Sequence, residues 1–211
     1  MAELAAASRR VSDSYAGIFE RLQQASSSAE EVSAMQAFLE SCEEQLQQLQ
    51  AAIDNELFGR LELLSDVQHA LEGEVFSDVY TTAAWPVRLQ QVVDDAERQL
   101  EEDRMTFQQQ LRDDQDALNA ELEAWEVEIR ALAKLGDISK TEENAAHVAQ
   151  LQAKLDDGKE RAALYNSREE LFEWGITEYP QLGELNRMLE VHLNLWTTAV
   201  SFQRAYPVWM D

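Results

Sequence analysis

Cysteine is almost absent from this chain. Cys42 stands alone among 211 residues, so no disulfide can close within it, and a reducing compartment is the default expectation. Residues that turn the backbone are scarce as well, with 7 Gly and 3 Pro, which points to a few long helices rather than many short strands. Positive charge is short: 17 Lys and Arg face 41 Asp and Glu, for a net charge of -24. Such a balance disfavours nucleic acid, whose phosphates need cations to neutralise them. It equally disfavours direct contact with an anionic membrane or with the acidic microtubule surface. No apolar run is long enough to span a bilayer, and the opening MAELAAASRR has no apolar core of a leader peptide. The expectation is a soluble, cytoplasmic chain.

Chemical motifs are missing in the same way. No two of the glycines have the spacing of a phosphate-binding loop, and no dinucleotide fingerprint occurs. His69, His147 and His192 are scattered, and none forms the Glu-x-x-His pair of a di-metal bundle site. The run Asp113-Asp114-Gln115-Asp116 lacks the Gly and the closing Glu of a calcium loop and falls inside a helical pattern. Cys42 lies on a helix seam, where it reads as a small buried hydrophobe. The chain is therefore expected to have no catalytic residue, no cofactor, no metal and no small-molecule ligand.

What is present is helical periodicity. The 45% hydrophobic content supports a real core, in one large domain or two small ones. Residues 1–27 carry one short stripe, Tyr15, Ile18, Phe19 and Leu22, and read as a weakly ordered lead-in with a short helix. Ser28 and Glu31 fit a capping box. Val32, Met35, Leu39, Cys42, Leu46, Leu49 and Ile53 then step by three and four, and the seam drifts through Leu57, Leu61, Leu64, Val67 and Leu71 to a stop at Gly73. Residues 74–84 read as an ordered connector. Trp85-Pro86 opens a second long helix, with seam residues Leu111, Leu118, Leu122, Trp125 and Ile129 and polar gaps near Asp103 and Asp114. Leu46 and Leu122 are both expected in the core. After Gly136 a short connector returns the chain antiparallel, with Ser139 and Glu142 as a second capping box, and Gly158 sits on the seam of the third helix.

The last quarter is different. Trp174, Trp196 and Trp209 follow one another around two breaks. Trp174-Gly175-Ile176-Thr177 interrupts the helix, with Thr177 as a candidate cap for the next one and Pro180 in its first turn. Leu182, Leu185, Leu189, His192, Trp196 and Ala199 form one stripe, and Met188, Leu195, Phe202 and Trp209 form a second beside it. Two adjoining stripes are more apolar surface than one antiparallel partner covers. Trp174, Gly175, Thr177, Tyr179 and Pro180 are thus candidates for a joint. Met188, Leu195, Trp196, Phe202 and Trp209 are candidates for an interaction face.

Specific residues here resemble a known family. Asn166, Arg168 to Phe172, Trp174, Thr177 to Pro180, Leu182 and Leu185 match it, followed by Leu195 to Val200, Phe202-Gln203, Tyr206 and Trp209-Met210-Asp211. The pattern is similar to the end of the tail and the entry to the linker of dynein heavy chains, most of all the single-headed inner-arm axonemal type. A looser, collinear resemblance extends back to about Ala25. There are departures: Glu173 stands where the family usually has Gly, Val191-His192 where it has Pro-Tyr, and Pro207 where it has a polar residue. The last helix is therefore expected to run straighter in its middle and to break earlier at its end.

The expected architecture is all-α, an elongated antiparallel helical bundle with coiled-coil-like packing over 28–173, followed by a joint and the start of a linker-like segment over 174–211. The resemblance implies a mechanical element of a ciliary motor, located in the axoneme, with the family's ATPase modules outside this sequence. Its implied partners are the rest of a dynein heavy chain, namely linker and ATPase ring, and dynein light or intermediate chains. The other reading is a free-standing acidic helical scaffold that binds proteins through its apolar C-terminal face. An enzyme built on a metal-dependent bundle comes last.

Overall fold

The computed structural model describes residues 2–66 and 73–210, without the side chains of residues 2, 65, 66 and 206–210. Among the described residues there is no strand, and the architecture is an all-α helical bundle. The helices are α1 (Ala2–Leu22), α2 (Ala29–Ala52), α3 (Gly59–Asp66), α4 (Gly73–Ala83), α5 (Trp85–Ala131), α6 (Thr141–Leu171) and α7 (Pro180–Met210). The chain forms two compact units, residues 1–107 and 108–211, and the division falls inside α5. The polar gaps at Asp103 and Asp114 bracket that division.

In the first unit, α1 packs on α2, on α4 and on the segment after α2. Residues 1–27 are not a weakly ordered lead-in. Leu4, Ala7, Val11, Tyr15, Ile18 and Leu22 step by three and four, and all are buried. Small residues in the first turns hid this face, because Ala7 and Ser8 fill a close contact that larger side chains would block. Ser8 shares a buried hydrogen bond of 2.8 Å with Thr82 of α4. The Trp85 indole N–H donates to the Ser12 hydroxyl at 2.9 Å, and its ring stacks on Tyr15. The supposed connector at 74–84 is α4 itself, whose buried Val79 and Thr82 face this core.

The drift of the α2 seam has a structural cause. Ile53–Phe58 is a π-helical segment between α2 and α3, and its wider turn shifts the phase of the apolar face. Ile53 and Leu57 are buried there, while Leu61 and Leu64 are only half-buried. The Gly59 N–H reaches the Asp54 carbonyl across five residues, and the Asn55 amide donates to the Ala51 carbonyl at 2.8 Å. Val67, Leu71 and His69 lie outside the described residues, so the stop expected at Gly73 falls at their edge, and Gly73 is the first described residue of α4. Leu46 is half-buried, not in the core. Ser28 does cap α2, accepting from the Glu31 N–H at 3.2 Å. Glu31 reaches back one residue further than a capping box requires, to the N–H and hydroxyl of Ser27.

In the second unit, α5 and α6 run antiparallel. Lys154, Arg161 and Gln115 pair with Glu128, Glu121 and Glu169, so partner numbers fall on α5 as they rise on α6. Arg161 holds Glu121 with both terminal nitrogens, at 3.1 and 2.6 Å, a fork geometry that fixes register. Leu111, Leu118, Leu122, Trp125 and Ile129 are buried along α5. The connector is capped by Asp137, which accepts from the Ser139 N–H at 2.9 Å. The expected Ser139 box does not form, because Lys140 precedes α6 without a side-chain cap. Gly158 marks a close approach of three helices: a Cβ there would stand 3.0 Å from the Trp125 ring and 3.3 Å from Leu182 of α7.

α7 packs along α6 through Leu182, Leu185, Leu189 and Trp196, all buried. It continues through Val191-His192, and it also continues through Pro207 to Met210. The early break expected at Pro207 is therefore absent.

Candidate functional site

The break between α6 and α7 is organised by Glu169, a residue whose position is written in the seam. Ala162, Tyr165, Glu169 and Phe172 step by three and four, and all four are buried. A carboxylate in an apolar seam must be hydrogen-bonded to be tolerated. Glu169 accepts from the Thr177 N–H at 2.7 Å, from the Thr177 hydroxyl, and from the Gln115 amide of α5 at 2.7 Å. Burial alone pushes this carboxyl's pKa up. The bonds from Thr177 and Gln115 together outweigh it and hold the group below the usual glutamate range.

Thr177 is held at three points. Besides its N–H and hydroxyl, its carbonyl accepts from the Asn166 amide at 3.1 Å once that amide is turned with its nitrogen toward it, and the same nitrogen meets the Ala162 carbonyl at 3.2 Å. Thr177 is thus an anchor of the joint to α6, not the cap of α7. The helix before it ends in a Schellman motif. The Trp174 N–H donates to the Glu169 carbonyl at 2.8 Å and the Glu173 N–H to the Glu170 carbonyl at 3.1 Å. Glu173 takes the left-handed position of that motif, with φ 58, at the place where the resemblance expects glycine.

The other joint candidates gather around this pair. The Trp174 ring lies under the Arg112 guanidinium at 4.7 Å and beside Phe172. Tyr179 is half-buried, and burial raises its pKa, with the neighbouring Gln115 amide acting against that rise. Gly175 has open space around it, and Pro180 is the first residue of α7. Sequence reasoning gave no joint role to Gln115, Asn166, Glu169 or Arg112. Asn166 and Glu169 were marked only as residues matching the family pattern, and Glu169 also by its place on the seam.

The candidate interaction face splits. Met188, Leu195 and Phe202 are 36%, 56% and 54% exposed. Trp196 is 4% exposed and belongs to the packed stripe with Leu189, because it sits one residue on from Leu195 and so faces inward. The side chain of Trp209 lies outside the described residues. At the end of the unit away from the joint, Leu195 and Phe202 border a groove of about 390 Å³ together with Leu135 and Ile138.

No protein-family model matches the chain. Individual relatives do. The chain is 24% identical over 201 residues to dynein axonemal heavy chain 1 of Homo sapiens, covering 95% of this chain and 5% of that protein. The Rattus norvegicus heavy chain 1 is 27% identical over 150 residues, 71% of this chain and 3% of that protein. Dynein axonemal heavy chain 12 of Rattus norvegicus is 26% identical over 127 residues, covering 60% and 4%. The chain resembles a segment of an axonemal dynein heavy chain. It spans about 5% of the human relative's length, and the match runs well beyond the last quarter that carried the sequence resemblance. Among the described residues there is no group of three or more His, Cys, Asp or Glu placed to hold a metal, and no helix long and apolar enough to cross a membrane.

Proposed function

We propose that this chain is the part of an axonemal dynein heavy chain where the tail meets the linker, and that its work there is mechanical. The observation that carries the reading is the anchoring of Thr177 by Glu169 and Asn166. A helix break held at N–H, carbonyl and side chain passes a displacement from one helix to the next instead of absorbing it. The family residues of the last quarter cluster on this joint, which supports placing it at the tail-to-linker transition. In this reading the segment carries no nucleotide site of its own, and it acts in microtubule-based ciliary movement within the axoneme. Its partners are the linker and ATPase ring of the same heavy chain, with dynein light or intermediate chains attached to the tail.

The test is direct. An antibody raised against this sequence should detect, in ciliated cells, a polypeptide many times larger than 24.0 kDa that fractionates with axonemes. A free 24.0 kDa product would replace this reading with the acidic scaffold. In the heavy chain itself, Thr177→Val with Glu169→Ala should slow microtubule gliding while ATP turnover is retained. Equal loss of both would show that the joint does not couple them.

A further inference from the structure

We propose that the groove between α2 and α5 seats an amphipathic helix of a partner protein, one with an apolar seam and Lys or Arg beside it. This goes beyond the heavy-chain reading and does not depend on it. The groove lies wholly within the first unit. A cavity of about 520 Å³ over Leu39, Leu46, Val93 and Leu100 continues into one of about 270 Å³ over Tyr15 and Leu89. Glu43, Leu46 and Gln90 border both. Gln36 and Leu100 share one end of the groove and Gln50 and Pro86 the other, so the two helices run antiparallel along it. From Gln36 to Gln50 it extends about 21 Å at 1.5 Å per residue.

The floor has the spacing of a helix seam. Leu39 and Leu46 stand seven residues apart on α2, Val93 and Leu100 seven apart on α5, and all four are only half-buried. Two facing heptad rows are met lengthwise by a third helix whose apolar residues step by three and four. A strand would present an apolar residue at every second position instead.

Charge selects the kind of helix. Glu40 and Glu43 of α2 and Glu97 of α5 line the groove, with no Lys or Arg among the lining residues. Residues 22–59, which include all of α2, contain no Lys, Arg or His. Asp94 and Glu101, next to Val93 and Leu100, are exposed and add to the acidic rim, and Asp54 accepts the Gln50 amide at 3.1 Å at its near end. The cations of the unit are held elsewhere: Arg98 pairs with Asp95, Arg88 lies over the Trp85 ring, and Arg10 pairs with Glu56. Arg104, one turn past Leu100, sets the far end of the site, since it opposes a basic partner there. On the rim, Gln36 and Gln47 donate to Glu40 and Glu43 at 3.2 and 3.4 Å. An incoming ammonium or guanidinium replaces these amides with a stronger, doubly charged pairing. A second copy of this chain brings the same excess of acid, at a net charge of -24, and like charges facing each other across an interface oppose binding. An anionic membrane is opposed for the same reason.

The experiment uses the whole 211-residue chain and three labelled peptides of about three heptads. One has Leu on the seam and Lys beside it, one has Leu and Glu, and one has the composition of the first with the seam scrambled. The Lys peptide should bind, and the Glu and scrambled peptides should bind about tenfold more weakly or worse. Glu40→Lys with Glu43→Lys and Glu97→Lys should weaken the Lys peptide by about tenfold or more and admit the Glu peptide. Asp116→Lys with Glu123→Lys and Glu160→Lys, at exposed positions of the second unit, makes the same change in net charge and should leave binding close to wild type. Circular dichroism should show equal helicity for all variants. Failure of the Lys peptide to bind, equal binding of the scrambled peptide, or equal weakening by the two triple variants would each overturn the proposal. The scrambled peptide tests the seam on the unaltered protein, so the result does not hang on a variant that folds. A wild-type dimer in sedimentation that excludes the Lys peptide would make the occupant a second copy and overturn the assignment to a partner protein. None of these failures touches the heavy-chain reading, which stands or falls on polypeptide size.

Discussion

Relief of backbone strain alone, on replacing Glu173 with glycine, should stabilise the protein by about 0.5–1 kcal/mol. Glu173 holds φ 58 at the end of α6, where a side chain's Cβ crowds the following carbonyl at a cost of about 1–2 kcal/mol. Glycine removes that cost but has more freedom to lose on folding, which takes back about 0.5–1 kcal/mol. The Glu173 side chain is exposed, so no packing is lost with it. Its charge is a separate matter, since a carboxylate near a helix C-terminus opposes the macrodipole by about 0.3–1 kcal/mol. Two further variants separate these effects. Glu173→Gln removes the charge and keeps the strained backbone, and Glu173→Ala removes the side chain and keeps the strain. The assay is urea and thermal unfolding of all four proteins. Glycine should exceed alanine by about 0.5–1 kcal/mol, a rise in melting temperature of a few degrees. Glycine equal to alanine, or below it, would refute the strain argument and with it the Schellman ending of α6.

Glu169→Gln should cost about 1.5–3 kcal/mol at neutral pH, since a charge-assisted set of bonds becomes neutral inside a buried site. The native carboxyl titrates below its unfolded value, so its contribution is present above about pH 4.3 and is lost as pH falls through the folded pKa. Stability measured from pH 6 down to pH 3 should therefore fall more steeply for wild type than for Glu169→Gln, and parallel curves would contradict this. Gly158→Val should destabilise by about 1–3 kcal/mol, because the first added carbon already meets the Trp125 ring at 3.0 Å; calorimetry showing no loss would mean the helices are further apart. Leu122→Ala should cost about 2–5 kcal/mol. Leu46→Ala should cost about 1–2 kcal/mol, as half-burial removes less area from water; equal losses in denaturant melts would put Leu46 back in the core.

The long helices were legible because their apolar residues recur at helical spacing over many turns, as along α5 from Leu111 to Ile129. α1 was not, since a face built from Ala7, Ser8 and Val11 carries little hydrophobic contrast, and its burial rests on Tyr15 and Trp85 meeting across the unit. α4 was mistaken for a connector because Val75, Val79, Thr81 and Thr82 favour extended backbone on their own, and packing on α1 overrides that preference. The π-helical segment left a trace, the drifting seam after Ile53, without declaring its cause. At the joint, the aromatic and glycine pattern located the break. It did not show what holds the break, because the bonds from Glu169 to Thr177 across the break and to the distant Gln115 follow no helical spacing.

A break written Trp-Gly-Ile-Thr invites the inference of a flexible hinge, and the hydrogen bonds argue the other way. Gly175 has the freedom that the inference assumes. The residues on either side of it do not. Trp174 is tied by its N–H to the Glu169 carbonyl, and Thr177 is tied by its N–H to the Glu169 carboxylate. One residue, through its backbone and its side chain, thus fixes both ends of the loop, leaving only Gly175 and Ile176 between them. Moving Thr177, where the chain leads on toward α7, away from α6 breaks bonds to a buried carboxylate, and leaving such a group without partners is costly. The free rotation of a single glycine cannot offset that loss. In the proposed reading the joint is held by Glu169, so substitutions at Gly175 should matter far less to stability than substitutions at Glu169.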